Sequence, residues 1–230
     1  MIYINMIIIP IIILIFFIAV YLFWRFNFFF RDPSRIIPSG DSIVSPADGT
    51  IVYIKKIKNG VVPISIKKKK EIQLNEISKL DIPNNDYYII GIFMHPTSVH
   101  VNRAPIEGMV KKIVYTKARN LPMTLMWWRV LLRIKPYELY SPHIFMNERN
   151  TIFIDGFLPV FIIQIADIYV NKIQCWVKEG QKILKGEKIG RIIMGSQVDL
   201  VFPCRDEIKI VVRDGQKIKA GETIIAEFTS

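Results

Sequence analysis

Val177 to Ile189 and Val212 to Ile224 carry the same pattern, Val-x-x-Gly-Gln-Lys-Ile-x-x-Gly-Glu-x-Ile, at an offset of 35 residues. Each copy reads as strand, glycine turn, strand, glycine turn, strand. Glycine adopts the positive φ of tight turns at little steric cost. Two copies are too few for a solenoid. They imply a pseudo-symmetric β-sandwich.

The rest of the chain agrees. Ile43-Val44, Thr50–Ile54, Val61–Ile66, Tyr88–Met94, Met109–Tyr115, Thr151–Asp155, Val160–Ala166 and Ile173–Val177 are short β-rich runs separated by turn residues. The expected fold class is mainly β, an antiparallel β-sandwich with few helices. The repeated pattern resembles the hammerhead hairpins of barrel-sandwich-hybrid folds. One segment breaks the β pattern: Leu121 to Pro136 mixes Trp127, Trp128, Leu131 and Leu132 with Arg129, Arg133 and Lys135. It reads either as a helix lying on a membrane surface or as an amphipathic core helix.

Met6 to Trp24 is almost wholly apolar and uncharged, close to the roughly 20 residues that cross a bilayer. No basic n-region precedes it and no Ala-x-Ala site ends it, which disfavours a cleaved signal peptide. A retained transmembrane anchor is expected over residues 1–27, with one domain over 28–230. Arg25, Arg31 and Arg35 follow the run, so the positive-inside rule puts the domain in the cytoplasm. The net charge is +11, and residues 36–230 hold 28 basic against 19 acidic side chains. Such a domain is drawn to anionic headgroups, and no nucleic-acid motif accompanies the charge. Lys67–Lys70 reads as a solvated hairpin tip. Cys175 and Cys204 are too few for a disulfide framework and read as buried small hydrophobes.

Histidine is scarce: His95, His100 and His143. The five-residue step from His95 to His100 fits no common zinc motif, and no metal is expected. On a strand that step would put the two on opposite faces. Asp48 lies in Ser45-Pro46-Ala47-Asp48-Gly49, where Asp-Gly is locally a turn signal. Asn147-Glu148-Arg149-Asn150 reads either as a solvated turn or as part of a site. Gly195-Ser196 is, alone, a common turn dipeptide.

In this order, Ser45–Gly49, His100-Val101-Asn102-Arg103-Ala104-Pro105, Asn147-Glu148-Arg149 and Gly195-Ser196 resemble the phosphatidylserine decarboxylase family, in its short form that includes archaetidylserine decarboxylases. The resemblance runs from about Phe29 to Phe228. It implies a pyruvoyl enzyme that cuts itself at Gly195-Ser196 into residues 1–195 and 196–230, which stay associated. Ser196 would become the pyruvoyl cofactor and form a Schiff base with the substrate amine. Asp48 would orient a histidine, and His100 would act as the acid or base. Longer members carry His-x-x-His, whereas Arg103 stands here at the second position. Arg103, His95 and Asn102 are the implied substrate-binding residues. The substrate would be a membrane phospholipid, phosphatidylserine or archaetidylserine, and a homodimer is compatible with exposed β edges.

The alternative is a membrane-anchored adaptor of the fusion type with a lipoyl-like β-domain and no catalysis. No long heptad repeat separates the two halves, as such an adaptor would need. Gln197-Val198-Asp199 also lacks the lysine of a lipoyl or biotin carrier.

Overall fold

The computed structural model describes residues 2–63, 72–168, 173–193 and 196–228. Gly195 and Lys67–Lys70 lie outside the described residues. The chain divides into two compact units, Met1–Pro33 and Ser34–Ser230. The first unit holds helix α1 (Ile2–Phe23), which contains Pro10, and a π-helical turn over Trp24–Phe28. Ile8–Phe28 is long and apolar enough to cross a membrane.

The second unit is mostly antiparallel β. Its early strands are β1 (Ser42–Val44), β2 (Gly49–Ile57), β3 (Val61–Val62) and β4 (Ile72–Gln73), followed by helix α2 (Leu74–Ser78). Then come β5 (Tyr87–Met94), β6 (Val101–Arg103), β7 (Gly108–Thr116), helix α3 (Thr124–Leu132) and helix α4 (His143–Met146). The remaining strands are β8 (Arg149–Asp155), β9 (Pro159–Ala166), β10 (Ile173–Cys175), β11 (Lys182–Ile183), β12 (Lys188–Ile192), β13 (Ser196–Pro203), β14 (Ile208–Ile210), β15 (Lys217–Ile218) and β16 (Ile224–Phe228). The eight strands β11-β7-β8-β9-β13-β5-β2-β15 form a curled half-barrel, and β10-β12-β6 and β1-β16-β14 form two small sheets.

The repeat explains this layout. Its first copy supplies β11 at one edge of the large sheet and β12 in one small sheet. Its second copy supplies β15 at the opposite edge and β16 in the other. The equivalent glycines make equivalent bonds: Gly180 N–H to Val110 O and Gly215 N–H to Ile51 O, Gly186 N–H to Ala104 O and Gly221 N–H to Ser45 O. All four glycines have φ between 76° and 85°, a region that disfavours any side chain. These bonds reveal a second repeat. Ser45-Pro46-Ala47-Asp48-Gly49 is the structural counterpart of Ala104-Pro105-Ile106-Glu107-Gly108.

The central strands of the large sheet, β5, β9 and β13, are buried on both faces. On β13, Val198, Leu200 and Phe202 point into the core against the small sheets, while Val201 faces the core that also holds Met123, Met126 and Ile144. Double burial is why these strands read as continuous apolar runs rather than alternating ones. Three expectations change. His95 and His100 lie in the loop between β5 and β6, not on a strand. Asn147, Arg149 and Asn150 are buried, so the motif is no solvated turn. Cys175 and Cys204 are free thiols at partly exposed positions, at the end of β10 and just past the end of β13.

Gly91 on β5 opposes Tyr53 on β2, and a Cβ built there would lie 2.4 Å from the Tyr53 ring. Gly91→Ala is expected to destabilise the domain by about 1–3 kcal/mol through overpacking, measured by chemical denaturation.

Candidate active site

Ser196 is the first residue of β13 and is fully buried. It pairs with Met94 of β5 on one side and Ala166 of β9 on the other. Its hydroxyl approaches the Met94 sulfur at 3.2 Å. The Asn102 amide reaches the same sulfur at 3.6 Å. Asn102 is in turn locked by a chain of buried amides: Gln164 Nε2 donates to Asn102 Oδ1, and Asn150 Nδ2 donates to Gln164 Oε1, both at 2.8 Å. Buried amides keep such geometry because breaking one bond strands a polar group without water. Asn102, a sequence candidate, therefore sits beside Ser196. Asn150 belongs to the polar motif the sequence singles out; Gln164 was missed, although one Gln inside Val160–Ala166 is a visible anomaly in an apolar strand.

His100 is also buried. Its Nδ1 lies 2.8 Å from the Ser98 carbonyl. A carbonyl only accepts, so Nδ1 carries the proton and Nε2 is the basic nitrogen in the neutral ring. Arg103 is buried as well, with Nη1 donating to Gly186 O at 3.0 Å.

Asp48 sits elsewhere in the scheme. Its carboxylate accepts two bonds from Arg35 Nη2, both 2.9 Å, and one from Ala220 N–H at 2.7 Å. Arg35 and the hairpin of the second repeat hold it, not a histidine. The counterpart Glu107 is exposed, so only one copy of the pseudo-repeat carries this lock. Asp48 faces a groove of about 1010 Å³, together with His95, Ser98, Arg133, Tyr137 and Lys217. Burial, and Lys217 nearby, push the His95 pKa down. Ser196 and His100 do not line the groove.

The Asn-Glu-Arg motif supports the strand ends beside Ser196. Asn147 Nδ2 donates to Leu121 O and to Ala166 O, and its Oδ1 accepts from Leu121 N–H. Ala166 is the residue opposite Ser196. Arg149 donates to Ile144 O and Phe145 O, carbonyls of α4, a favourable cation position at a helix end.

On the other face of β13 lies a second buried polar group. Gln197 Nε2 donates to Tyr53 OH at 2.8 Å and to Asp199 Oδ1 at 2.6 Å. Burial raises the Asp199 pKa to about 7, with Gln197, Tyr53 and the Arg149 charge offsetting part of the shift. Burial lowers His143 to about 4, with Gln197 opposing. Among the described residues, no group of three or more His, Cys, Asp or Glu is placed to hold a metal ion.

The frame of the site is thus a curled antiparallel sheet whose central strand opens on a buried serine, with a chain of buried amides nearby. Residues 22–226 match the family described as phosphatidylserine decarboxylase. The chain belongs to that family. It is 38% identical over 203 residues to the "Putative archaetidylserine decarboxylase proenzyme" of Methanocaldococcus jannaschii, covering 86% of this chain and 87% of the relative. Against phosphatidylserine decarboxylase proenzymes it is 32% identical for Chlorobium phaeobacteroides and 35% for Syntrophus aciditrophicus. Each of those alignments covers 87% of this chain and 78% of the relative.

The two buried titrating groups have opposite linkage. Asp199 binds more protons folded than unfolded between its ordinary 3.8 and about 7, so its contribution falls as pH rises through that window. His143 binds fewer protons folded than unfolded between about 4 and its ordinary 6.5, so its contribution falls as pH drops through that window. The slopes oppose each other where the windows overlap. Asp199→Asn leaves the His143 slope uncompensated, and its Tm should drop more than the parent's on acidification from 6.5 to about 4, read by thermal melts.

Proposed function

We propose that the chain is a proenzyme that cuts itself between Gly195 and Ser196 and then decarboxylates a serine-headgroup phospholipid. Family membership and the buried position of Ser196 at the start of a strand paired on both sides carry this reading. A serine hydroxyl is a weak nucleophile unless it is held in place and deprotonated. In the proposed cleavage, Ser196 Oγ attacks the Gly195 carbonyl carbon and the peptide C–N bond breaks, leaving an ester and a free amine. A base then removes the Ser196 α-proton. The Cα–H electrons form a double bond as the ester C–O bond breaks, releasing the Gly195 carboxylate. The resulting dehydroalanine tautomerises and is hydrolysed, losing ammonia and leaving a pyruvoyl group on the 35-residue fragment 196–230.

The site fits such a group. Ser196 is fully buried, its hydroxyl meets the uncharged Met94 thioether that the Asn102 amide also reaches, and its backbone is held by β5 and β9. The pyruvoyl carbonyl supplies an electron sink for the bond that releases carbon dioxide. His100, with its proton fixed on Nδ1, offers Nε2 as the base in cleavage and as the proton carrier to the substrate α-carbon. Asn102 fixes the Met94 wall beside Ser196. Arg103 is the cation for the substrate's phosphate or carboxylate, and His95 lines the groove through which a headgroup approaches. Asp48 is better supported as a lock on the second-repeat hairpin than as the partner of a histidine. The apolar helix anchors the chain in the cell membrane, with the domain on the cytoplasmic side by its arginines.

The parent should run on a denaturing gel as two pieces, the smaller with a blocked N-terminus. Ser196→Ala should stay at 26.8 kDa and be inactive. An active preparation with an intact chain and a free Ser196 would overturn the reading. His100→Ala should slow cleavage or turnover by roughly 10²–10⁴-fold. Normal rates of both would remove His100 from the mechanism.

A further inference from the structure

Helix α3 presents its apolar stripe outward. Met123 and Met126 are buried and hold the helix on the domain. Leu125, Trp128, Leu131 and Leu132 occupy the opposite face, spaced as neighbours on a helix, and Ile134 follows; all five are 46–59% exposed. Single exposed apolar residues are ordinary, but a contiguous stripe marks a docking face. Every charge between Leu121 and Tyr137 is positive: Arg129, Arg133 and Lys135. Arg133 and Leu131 also line the groove that holds His95, as do Arg213, Lys217 and the Glu222-paired Lys219, with Asp214 and the Arg35-paired Asp48 as its acidic residues.

We propose that α3 docks on the interfacial layer of an anionic bilayer, with Leu125, Trp128, Leu131 and Leu132 in the acyl boundary and Arg133 and Lys135 at the headgroup phosphates. The composition is that of an interfacial helix, leucine and tryptophan on one side with basic residues beside them. The charge favours lipid over a second copy of the chain, because a twofold contact through this face would bring Arg129, Arg133 and Lys135 close to their own equivalents. A nine-residue helix binds a membrane weakly by itself. A chain already anchored through Ile8–Phe28 holds it at high effective concentration, so weak docking suffices. Docking would place the groove at headgroup level, and it holds whether or not Ser196 does the chemistry.

The test uses the full chain in nanodiscs with brominated acyl chains, made of zwitterionic lipid with or without phosphatidylglycerol. Bromine quenches tryptophan on contact, and Trp24, Trp127, Trp128 and Trp176 are the four in the chain. The quenched signal should be smaller in Trp128→Phe than in the parent, and the difference should grow with phosphatidylglycerol. Leu131→Glu/Leu132→Glu should lose the same component while keeping the parent's melting temperature. The conservative Trp128→Phe carries the test if the double variant misfolds. Equal quenching of parent and Trp128→Phe overturns the proposal. So does a Trp128 signal that follows pairing of two chains and ignores phosphatidylglycerol. Neither outcome bears on self-cleavage, which the gel reads separately.

Discussion

The hydrogen bonding of β13 on both edges is the constraint on which the rest of this structure depends. Its register runs from Ser196 opposite Met94 to Pro203 opposite Tyr87 on one side, and from Ser196 opposite Ala166 to Val201 opposite Phe161 on the other. A strand held this way cannot shift by one residue without turning Val198, Leu200 and Phe202 out of their core. Ser196 is therefore fixed in depth and direction by the packing of the residues after it. Under the proposed cleavage, the same bonds keep fragment 196–230 in place without any covalent link to the large fragment.

The two hairpins of the repeat complete the frame by covering both edges of the sheet, which would otherwise expose unpaired backbone groups. Near-symmetric scaffolding then carries asymmetric chemistry. Asp48 and Glu107 occupy equivalent turns, yet only Asp48 is partly buried and paired with Arg35 and Ala220. Asn102 belongs to the segment just before the Ala104 turn, and Gln164 and Asn150 tie it to β9 and β8. Polar residues within a double-sided core persist because each satisfies another.

Much of the fold was legible in the sequence. The 35-residue repeat, the glycine turns and the β-rich runs indicated an antiparallel, pseudo-symmetric architecture, and the apolar N-terminal run stood out by length. Among site residues, Ser196, His100 and Asn102 were singled out by motif, and the structure buries all three. The Gln164–Asn150 chain and the Gln197–Asp199–Tyr53 group went unseen, because their partners lie up to 144 residues apart. The Asp48 partnership was misjudged for the same reason: Arg35 and Ala220 are 13 and 172 residues away, and no local pattern pairs them.

By itself the sequence determined what each segment can be: a membrane-length helix, short strands, glycine turns, and a Gly-Ser bond inside a family pattern. Periodicity, glycine and charge are local, so they survive without coordinates. The tertiary structure alone decided which side chains share a site. It put the Asn147 motif under the strand end opposite Ser196, gave Asp48 to Arg35, and turned the apolar stripe of α3 outward. Those outcomes follow from how strands far apart in the chain stack on one sheet whose central strands are buried on both faces.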